Sequence, residues 1–195
     1  TLYDSWLDLR CAPYIELMER KAGNEILRST GCAPTCAHGA KILWWKHERP
    51  QEFARIEKFV TASGYVIGRL VGLRASEAFI DYTHLHFTGV ADTENLRWNS
   101  RLLELLGLDE CILPRIVEPW SIVGGLLDDV ARRCGLEPGT PVVAGAGDSE
   151  SVAPAGYYRL QKIYNEPELW PLVAAETTAQ TFLGLRLQCA RCHDH

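Results

Sequence analysis

Apolar residues recur at helical spacing along much of the chain, with charged residues on the opposite face of each stretch. The clearest stripe follows Pro50, where Phe53, Ile56 and Phe59 share one face of a helix. The pattern predicts helices in these stretches: from Pro13 to about Gly23, Ala40–Lys46, Pro50–Gly64, Tyr65–Leu70, Arg101–Leu106 and Leu126–Cys134.

One short run is β-branched instead. Thr140–Ala144 lies between Gly139 and Gly145 and predicts a buried strand, which leads into a glycine turn that ends at Asp148. Because helices outnumber strands, we expect a helix-rich α/β domain. After residue 150, aromatic residues crowd together and the strand-turn-helix order is lost, so we place a domain boundary near that position.

Composition narrows the class of protein. With 20 Lys and Arg residues against 25 Asp and Glu residues, the net charge is −5, so we expect neither nucleic acid nor anionic lipid as a partner. No apolar run reaches the roughly 20 residues of a transmembrane helix. Five of the seven cysteines are scattered along the chain, which favours reduced thiols, and the acidic start Thr1–Asp8 is unlike a signal peptide. We therefore expect a cytoplasmic protein.

Asp148 is the first candidate for chemistry. It follows the predicted strand on a turn made by Gly145 and Gly147, and ligand sites in open α/β sheets lie just outside that edge. A carboxylate held there can accept the proton of an attacking hydroxyl group. The alternative from spacing alone is a turn residue or the N-cap of a following helix.

Trp6, Asp8 and Arg10 form a second candidate. On an extended segment these alternating residues point to one side, where an indole, a carboxylate and a guanidinium suit a sugar. The alternative is an edge strand with a surface ion pair.

Two further sets of side chains are candidate ligand contacts. Lys41 begins a predicted helix and could reach a ligand hydroxyl, although it could equally be a solvated lysine. His84 and His86 share one face of a possible strand, but no acidic or cysteine neighbour completes a metal site. We therefore interpret the two histidines as packing residues.

These segments resemble the FGGY family of carbohydrate kinases, in particular xylulokinases and ribulokinases. Trp6–Arg10 (WLDLR) is similar to the family's tryptophan, aspartate and arginine segment, and Lys41–Trp44 (KILW) to its lysine-containing helix. Residues 65–72 (YVIGRLVG) resemble its "dYi..rLtG" stretch, and residues 135–148 (GLEPGTPVVAGAGD) its "GL..GtPVvaG.gD" signature. The resemblance covers about residues 1–150.

The resemblance implies an ATP- and Mg²⁺-dependent kinase that phosphorylates a hydroxyl of a small sugar, such as the pentuloses xylulose or ribulose. The implied fold is α/β: a partial, helix-rich N-terminal lobe of the actin-like, ribonuclease-H-like ATPases, with an irregular C-terminal tail. Asp148 would be the general base, and Trp6, Asp8, Arg10 and Lys41 would bind the sugar. Asp81 lies in a loosely matching stretch and is left out of the site.

The chain also departs from the family pattern. We expect that it lacks the family's first strands and its nucleotide-binding lobe, so that it binds sugar without turnover. The missing lobe, or a second copy of the chain, is therefore an expected partner.

The tail carries a different motif. Residues 177–195 resemble a segment of large planctomycete cytochrome-associated proteins, and Cys189, Cys192 and His193 form the CxxCH pattern of haem c attachment. A zinc site that includes His195 is the cramped alternative. Residues 151–176 would then be a junction, either between two joined gene pieces or in a genuine fusion. The alternative function is a non-enzymatic sugar-binding or haem- or metal-binding fusion protein.

Overall fold

The computed structural model describes residues 3–5 and 7–147. Residues 1–146 form one compact unit. The predicted boundary near residue 150, and the junction and tail beyond it, lie outside the described residues and stay predictions. The helices of the described part are α1 (Ala12–Thr30), α2 (His38–Glu48), α3 (Pro50–Phe53), α4 (Ala62–Val71), α5 (Ser100–Leu106) and α6 (Asp128–Cys134). The strands are β1 (Phe79–Asp81), β2 (Ala91–Asp92), β3 (Arg97–Trp98), β4 (Arg115–Val117), β5 (Ile122–Gly125) and β6 (Pro141–Val143).

The first helix is longer than its sequence pattern predicts. It continues past Gly23 and ends at Gly31, whose φ of 73° allows the left-handed cap that closes the helix. Ala22 and Ile26, on either side of the predicted end, are buried in the core. The packing of these side chains outweighs the low helix propensity of glycine, so the prediction of an end near Gly23 was wrong.

The helices α2, α4, α5 and α6 are confirmed, with small shifts at their ends. Asn99 caps α5, because its Oδ1 accepts a hydrogen bond from Leu102 N at 3.1 Å. Gly107 and Gly135 close α5 and α6 with φ of 66° and 69°, as the sequence predicts for a glycine just after a helix.

The predicted helix from Pro50 to Gly64 was wrong. Its helical part ends after one turn at Phe53, and the following segment instead binds residues 111–113. Phe59 N donates to Ile112 O at 2.9 Å, and Lys58 Nζ donates to the carbonyl oxygens of Cys111 and Leu113. Tertiary hydrogen bonds therefore replace the helical ones, while Phe53 and Phe59 still pack against the core.

The strands pair two by two within the described residues. β1 and β4 are parallel, with Asp81 opposite Val117 at their carboxyl ends. β2 pairs with β3, and β5 with β6, in antiparallel register. The strand predicted at residues 140–144 is confirmed as β6, but the expected burial was wrong: Val143 is exposed because β6 lies in a two-stranded ribbon.

The main core lies between α1, α2 and α5. Met18, Ile26, Leu43 and Leu102 are almost fully buried there, and Trp44 and Trp45 of α2 are also buried in this core. This packing fixes α2 against α1 and so positions the residues at the start of α2.

Candidate functional site

A tight turn precedes α1. Asp8 N donates to Ser5 O at 3.0 Å, and Arg10 N donates to Asp8 Oδ1 at 3.0 Å. The extended segment expected for residues 6–10 was therefore wrong, because the Asp8 carboxylate binds the backbone two residues ahead and bends the chain. The turn still brings the Asp8 and Arg10 side chains together.

The guanidinium of Arg10 is held on two edges and one face. Its Nε lies 2.8 Å from Asp8 Oδ2, and its Nη2 lies 2.5 Å from the same oxygen. Nη2 also donates to Asp4 Oδ1 at 3.1 Å. The Arg10 Cζ stands 4.1 Å from the centroid of the Trp44 ring, within the range of a cation–π contact.

Asp4 is a member of this cluster that the sequence analysis missed. Its Oδ1 binds Arg10 and its Oδ2 accepts a hydrogen bond from Trp45 Nε1, so one carboxylate links the turn to α2. The signal that could have indicated it is a second acidic residue four positions before Asp8.

Lys41 joins the same cluster from the first turn of α2. Its Nζ donates to Ser5 O and to Asp8 O, each at 2.8 Å. The structure therefore places Lys41 beside Asp8 and Arg10 and shows that its ammonium group binds the backbone of the turn.

The electrostatics of the cluster follow from these contacts. Side-chain and backbone hydrogen bonds from Arg10 lower the pKa of Asp8 from 3.8 to about 2. The carboxylate of Asp8 in turn raises the pKa of Arg10, and burial raises the pKa of the neighbouring Cys11 thiol. At neutral pH, Asp8 is thus an acceptor of hydrogen bonds and not a source of protons.

The cluster lines a shallow depression that is open to solvent. Its wall consists of Asp4, Asp8, Arg10, Cys11, Lys41 and Trp44. Carboxylate acceptors, a guanidinium donor and an indole face are the groups that bind hydroxyls and the apolar face of a sugar. Because small-molecule pockets bury most of their ligand, this open depression is one part of a ligand site rather than a whole one.

A second polar cluster lies at the carboxyl end of β1. The buried carboxylate of Asp81 binds His84 Nδ1 at 2.7 Å and Thr83 N at 3.1 Å. His84 and His86 lie on the 3₁₀ helix Tyr82–Phe87, so the strand considered for them was wrong. Burial, and after it the neighbouring His84 and Lys41, lower the pKa of the nearby His38 to about 4.

The described residues contain neither a cluster of metal ligands nor a membrane-spanning helix. In residues 3–5 and 7–147, no group of three or more His, Cys, Asp or Glu side chains is arranged to hold a metal ion. The same part of the chain contains no helix that is long and apolar enough to cross a bilayer.

The remaining predicted site residues lie outside the described residues. They are Trp6, Asp148, Cys189, Cys192 and His193. Their roles stay predictions.

Comparisons with known proteins bear on the same segments. The sequence pattern of the FGGY family of carbohydrate kinases, N-terminal domain, matches residues 3–153. The autoinducer-2 kinase of Escherichia coli is 30% identical over 133 residues, which are 68% of this chain and 24% of that protein. The chain thus spans about a quarter of the length of the curated relatives it matches.

Two solved structures show the same fold. A gluconate kinase from Lactobacillus acidophilus is 25% identical with a TM-score of 0.65, and the match covers 74% of this chain and 29% of that chain. A xylulose kinase from the same organism is 24% identical with a TM-score of 0.67, and that match covers 79% and 31% of the two chains. The predicted fold, a helix-rich α/β N-terminal part of an actin-like ATPase, is confirmed.

Proposed function

Since the chain belongs to the FGGY family of carbohydrate kinases, we propose that it is the sugar-binding part of an enzyme that phosphorylates a hydroxyl group of a small sugar. The observation that carries the proposal is the cluster of Asp8, Arg10 and Trp44. These residues lie in the segment that matches the family, and their side chains supply sugar-binding groups to one depression.

Each residue predicted to bind the sugar has a role in this proposal. Asp8 accepts a hydrogen bond from a sugar hydroxyl, and Arg10 donates one to a sugar oxygen. Trp6 contributes a stacking face to the sugar. Lys41 contributes to sugar binding indirectly. Its ammonium group fixes the backbone of Ser5 and Asp8 and so holds the turn that carries the sugar-binding side chains.

Asp148 is the proposed general base. Its carboxylate accepts the proton of the attacking hydroxyl as the sugar oxygen forms a bond to the γ-phosphorus of ATP and the bond to ADP breaks. The products are a sugar phosphate and ADP, and the proton leaves with Asp148.

The nucleotide and its metal are proposed for the whole enzyme. Mg²⁺ would neutralise charge on the ATP phosphates. Within the described residues, no three or more His, Cys, Asp or Glu side chains are grouped to hold a metal ion, and the chain covers about a quarter of its relatives' length. We therefore assign ATP and Mg²⁺ to parts of the enzyme outside residues 3–5 and 7–147 and expect no turnover from this chain alone.

The finer identity of the substrate is a pentulose such as xylulose or ribulose. The support for a pentulose is the sequence resemblance to xylulokinases and ribulokinases. One structural relative is named as a kinase of gluconate, which is a sugar acid, so membership of the family does not by itself specify a pentulose. A cytoplasmic location, and either a second lobe or a second copy of the chain as partner, complete the proposal.

Thermal unfolding of the 195-residue chain with a panel of pentuloses tests this function. A ligand present at about 100 times its Kd stabilises a protein by about 2.7 kcal/mol, which raises Tm by roughly 5–10 °C for this chain length. Asp8→Asn, which removes an acceptor in the depression, should reduce the shift. The matched control is Asp92→Asn, which alters a carboxylate paired with Arg97 outside the depression. A folded chain whose Tm no sugar shifts would overturn the proposal.

A further inference from the structure

The depression forms one part of a ligand site, and one face of α2 continues from it. His38, Lys41 and Trp45 stand at intervals of three and four residues, so their side chains lie on one face of the helix. Lys41 binds two carbonyl oxygens of the turn, and Trp45 Nε1 donates to Asp4 Oδ2, so the turn lies along this face. His38 extends the face by three residues, roughly 4.5 Å, beyond Lys41.

A second element meets the first turn of α2. A Cβ atom at Gly39 would lie 2.6 Å from Thr88 O, so α2 lies directly against the residue that follows the 3₁₀ helix. Burial, and after it His84 and Lys41, lower the pKa of His38, so this imidazole is uncharged at neutral pH. His38 is thus a neighbour both of Lys41, in the wall of the depression, and of His84, on the 3₁₀ helix.

The imidazole of His84 is held by a buried carboxylate. Its Nδ1 lies 2.7 Å from Asp81 Oδ2, and the Asp81 side chain is 2% exposed. The backbone N and the hydroxyl of Thr83 bind the other oxygen of the same carboxylate. These contacts fix the orientation of the ring, in which Nε2 lies on the side away from Asp81. The His84 side chain is 19% exposed, and its Nε2 is a nitrogen that can accept from a hydroxyl group or donate to one.

We propose that the sugar site is elongated: it runs from the depression along the first turn of α2 to the imidazoles of His38 and His84, which bind hydroxyl groups at the far end of the sugar. The proposal rests on the proposed function and adds two binding residues and a length requirement to the same site. Asp81 is a positioning residue, because it orients His84 without contacting the sugar. A ligand held at both ends is buried more completely than the open depression alone allows.

Titration calorimetry of the 195-residue chain at pH 7.5 measures the length requirement. The probes are dihydroxyacetone, erythrulose, and the pentuloses xylulose and ribulose, a series of ketoses of increasing chain length. A short ketose fills only the depression, whereas a pentulose also reaches the imidazoles. We expect the affinity to rise by at least about tenfold from dihydroxyacetone to the tighter-binding pentulose, because the longer sugar gains hydrogen bonds at its far end.

His84→Asn tests the contact with the far end of the sugar. The amide nitrogen of asparagine can replace Nδ1 and keep the hydrogen bond to Asp81, but no atom of asparagine occupies the place of Nε2. The affinity for the pentulose should fall by about fivefold, and the affinity for dihydroxyacetone should not change. The matched control is His47→Asn, at an exposed histidine that stacks on Tyr14 at the other end of α2, and it should leave every affinity unchanged.

Nitrogen-15 NMR of the unaltered chain separates a sugar contact from a structural role. Long-range proton–nitrogen correlations distinguish the two ring nitrogens of His84. Saturating pentulose should shift the Nε2 resonance, whereas dihydroxyacetone should leave it in place. A histidine that only supports the fold would keep its resonance with both sugars, and this measurement decides even if His84→Asn does not fold.

The outcomes are distinct. Pentulose binding that leaves the Nε2 resonance of His84 unmoved, or that is as tight in folded His84→Asn as in the unaltered chain, overturns the inference and leaves the proposed function in place. Affinities that do not rise with the length of the ketose overturn the inference as well. If no sugar binds, the proposed function fails and the inference fails with it.

Discussion

Asp8 and Arg10 are two residues apart, and their side chains form a fork because the turn between them folds the backbone. Arg10 N, Nε and Nη2 all donate to the Asp8 carboxylate, and this set of hydrogen bonds holds the pKa of Asp8 at about 2. Lysine has one compact ammonium group and cannot reproduce the fork. Whether position 10 carries an arginine or a lysine therefore affects the pKa of Asp8, and so its charge at low pH.

Arg10→Lys should raise the pKa of Asp8 towards the ordinary value of 3.8. Because the folded-state pKa of Asp8 is depressed, its stabilising contribution is present above about pH 4 and is lost as pH falls towards 2. The variant should thus lose less stability than the natural chain across this window. A carbon-13 NMR titration of the Asp8 carboxyl measures the pKa, and Tm against pH measures the stability.

Asp92 provides the internal comparison, since hydrogen bonds from Asn95, and then from Arg97, lower its pKa at a distant turn. Its titration should not change in Arg10→Lys. A midpoint for Asp8 that stays near pH 2 in the variant would contradict the role given to the fork.

At the scale of helices, the sequence predicted the elements whose ends are set by local chemistry. Asn99 and the glycines that close α5 and α6 act within a few residues of the helix they end, so their effect is visible in the sequence. The helix from Pro50 was predicted wrongly because its apolar stripe is real but its backbone binds residues 111–113, which lie far away in the chain. Periodicity reports which side chains are buried and not where the backbone hydrogen bonds go.

Two helical glycines differ in what surrounds them. A Cβ atom at Gly39 would lie 2.6 Å from Thr88 O and 2.9 Å from Met18 Cε, whereas at Gly68 the nearest atom would be Leu73 Cβ at 3.8 Å. The close approach at Gly39 lets the first turn of α2 contact the residues after the 3₁₀ helix.

Gly39→Ala should therefore destabilise the fold by about 1–3 kcal/mol, because the backbone at Thr88 must shift. Gly68→Ala, the matched control, should stabilise it by up to about 1 kcal/mol through helix propensity. Urea denaturation followed by circular dichroism measures both values. Equal effects of the two substitutions would contradict the packing described for Gly39.

At the scale of the whole molecule, the candidate site joins a turn before α1 to the start of α2. Asp8, Arg10 and Lys41 could be predicted from their types and from the family resemblance. Asp4 and the role of Trp44 could not, because they depend on how the turn folds back onto α2. The extended geometry expected for residues 6–10 failed for the same reason, since a side-chain to backbone hydrogen bond sets the turn.

Haem attachment by the tail motif stays a prediction, since Cys189, Cys192 and His193 lie outside the described residues. If the motif attaches haem, the chain fused to an export signal and produced with a cytochrome c maturation system should show the absorbance bands of haem c. Cys189→Ser should reduce the covalent attachment, because only the thioether of Cys192 can then form. The control is Cys134→Ser, at an exposed cysteine outside the motif. A colourless product would reject haem binding.

The anchoring of the turn by Lys41 has a consequence for evolution. Its two hydrogen bonds go to carbonyl oxygens, which every amino acid supplies, and not to side chains. A substitution at position 8 therefore keeps the carbonyl oxygen that attaches the turn to α2, even though it removes the carboxylate that bends the chain. The attachment of the turn to α2 can thus persist through point substitutions that change the side chains available to a ligand.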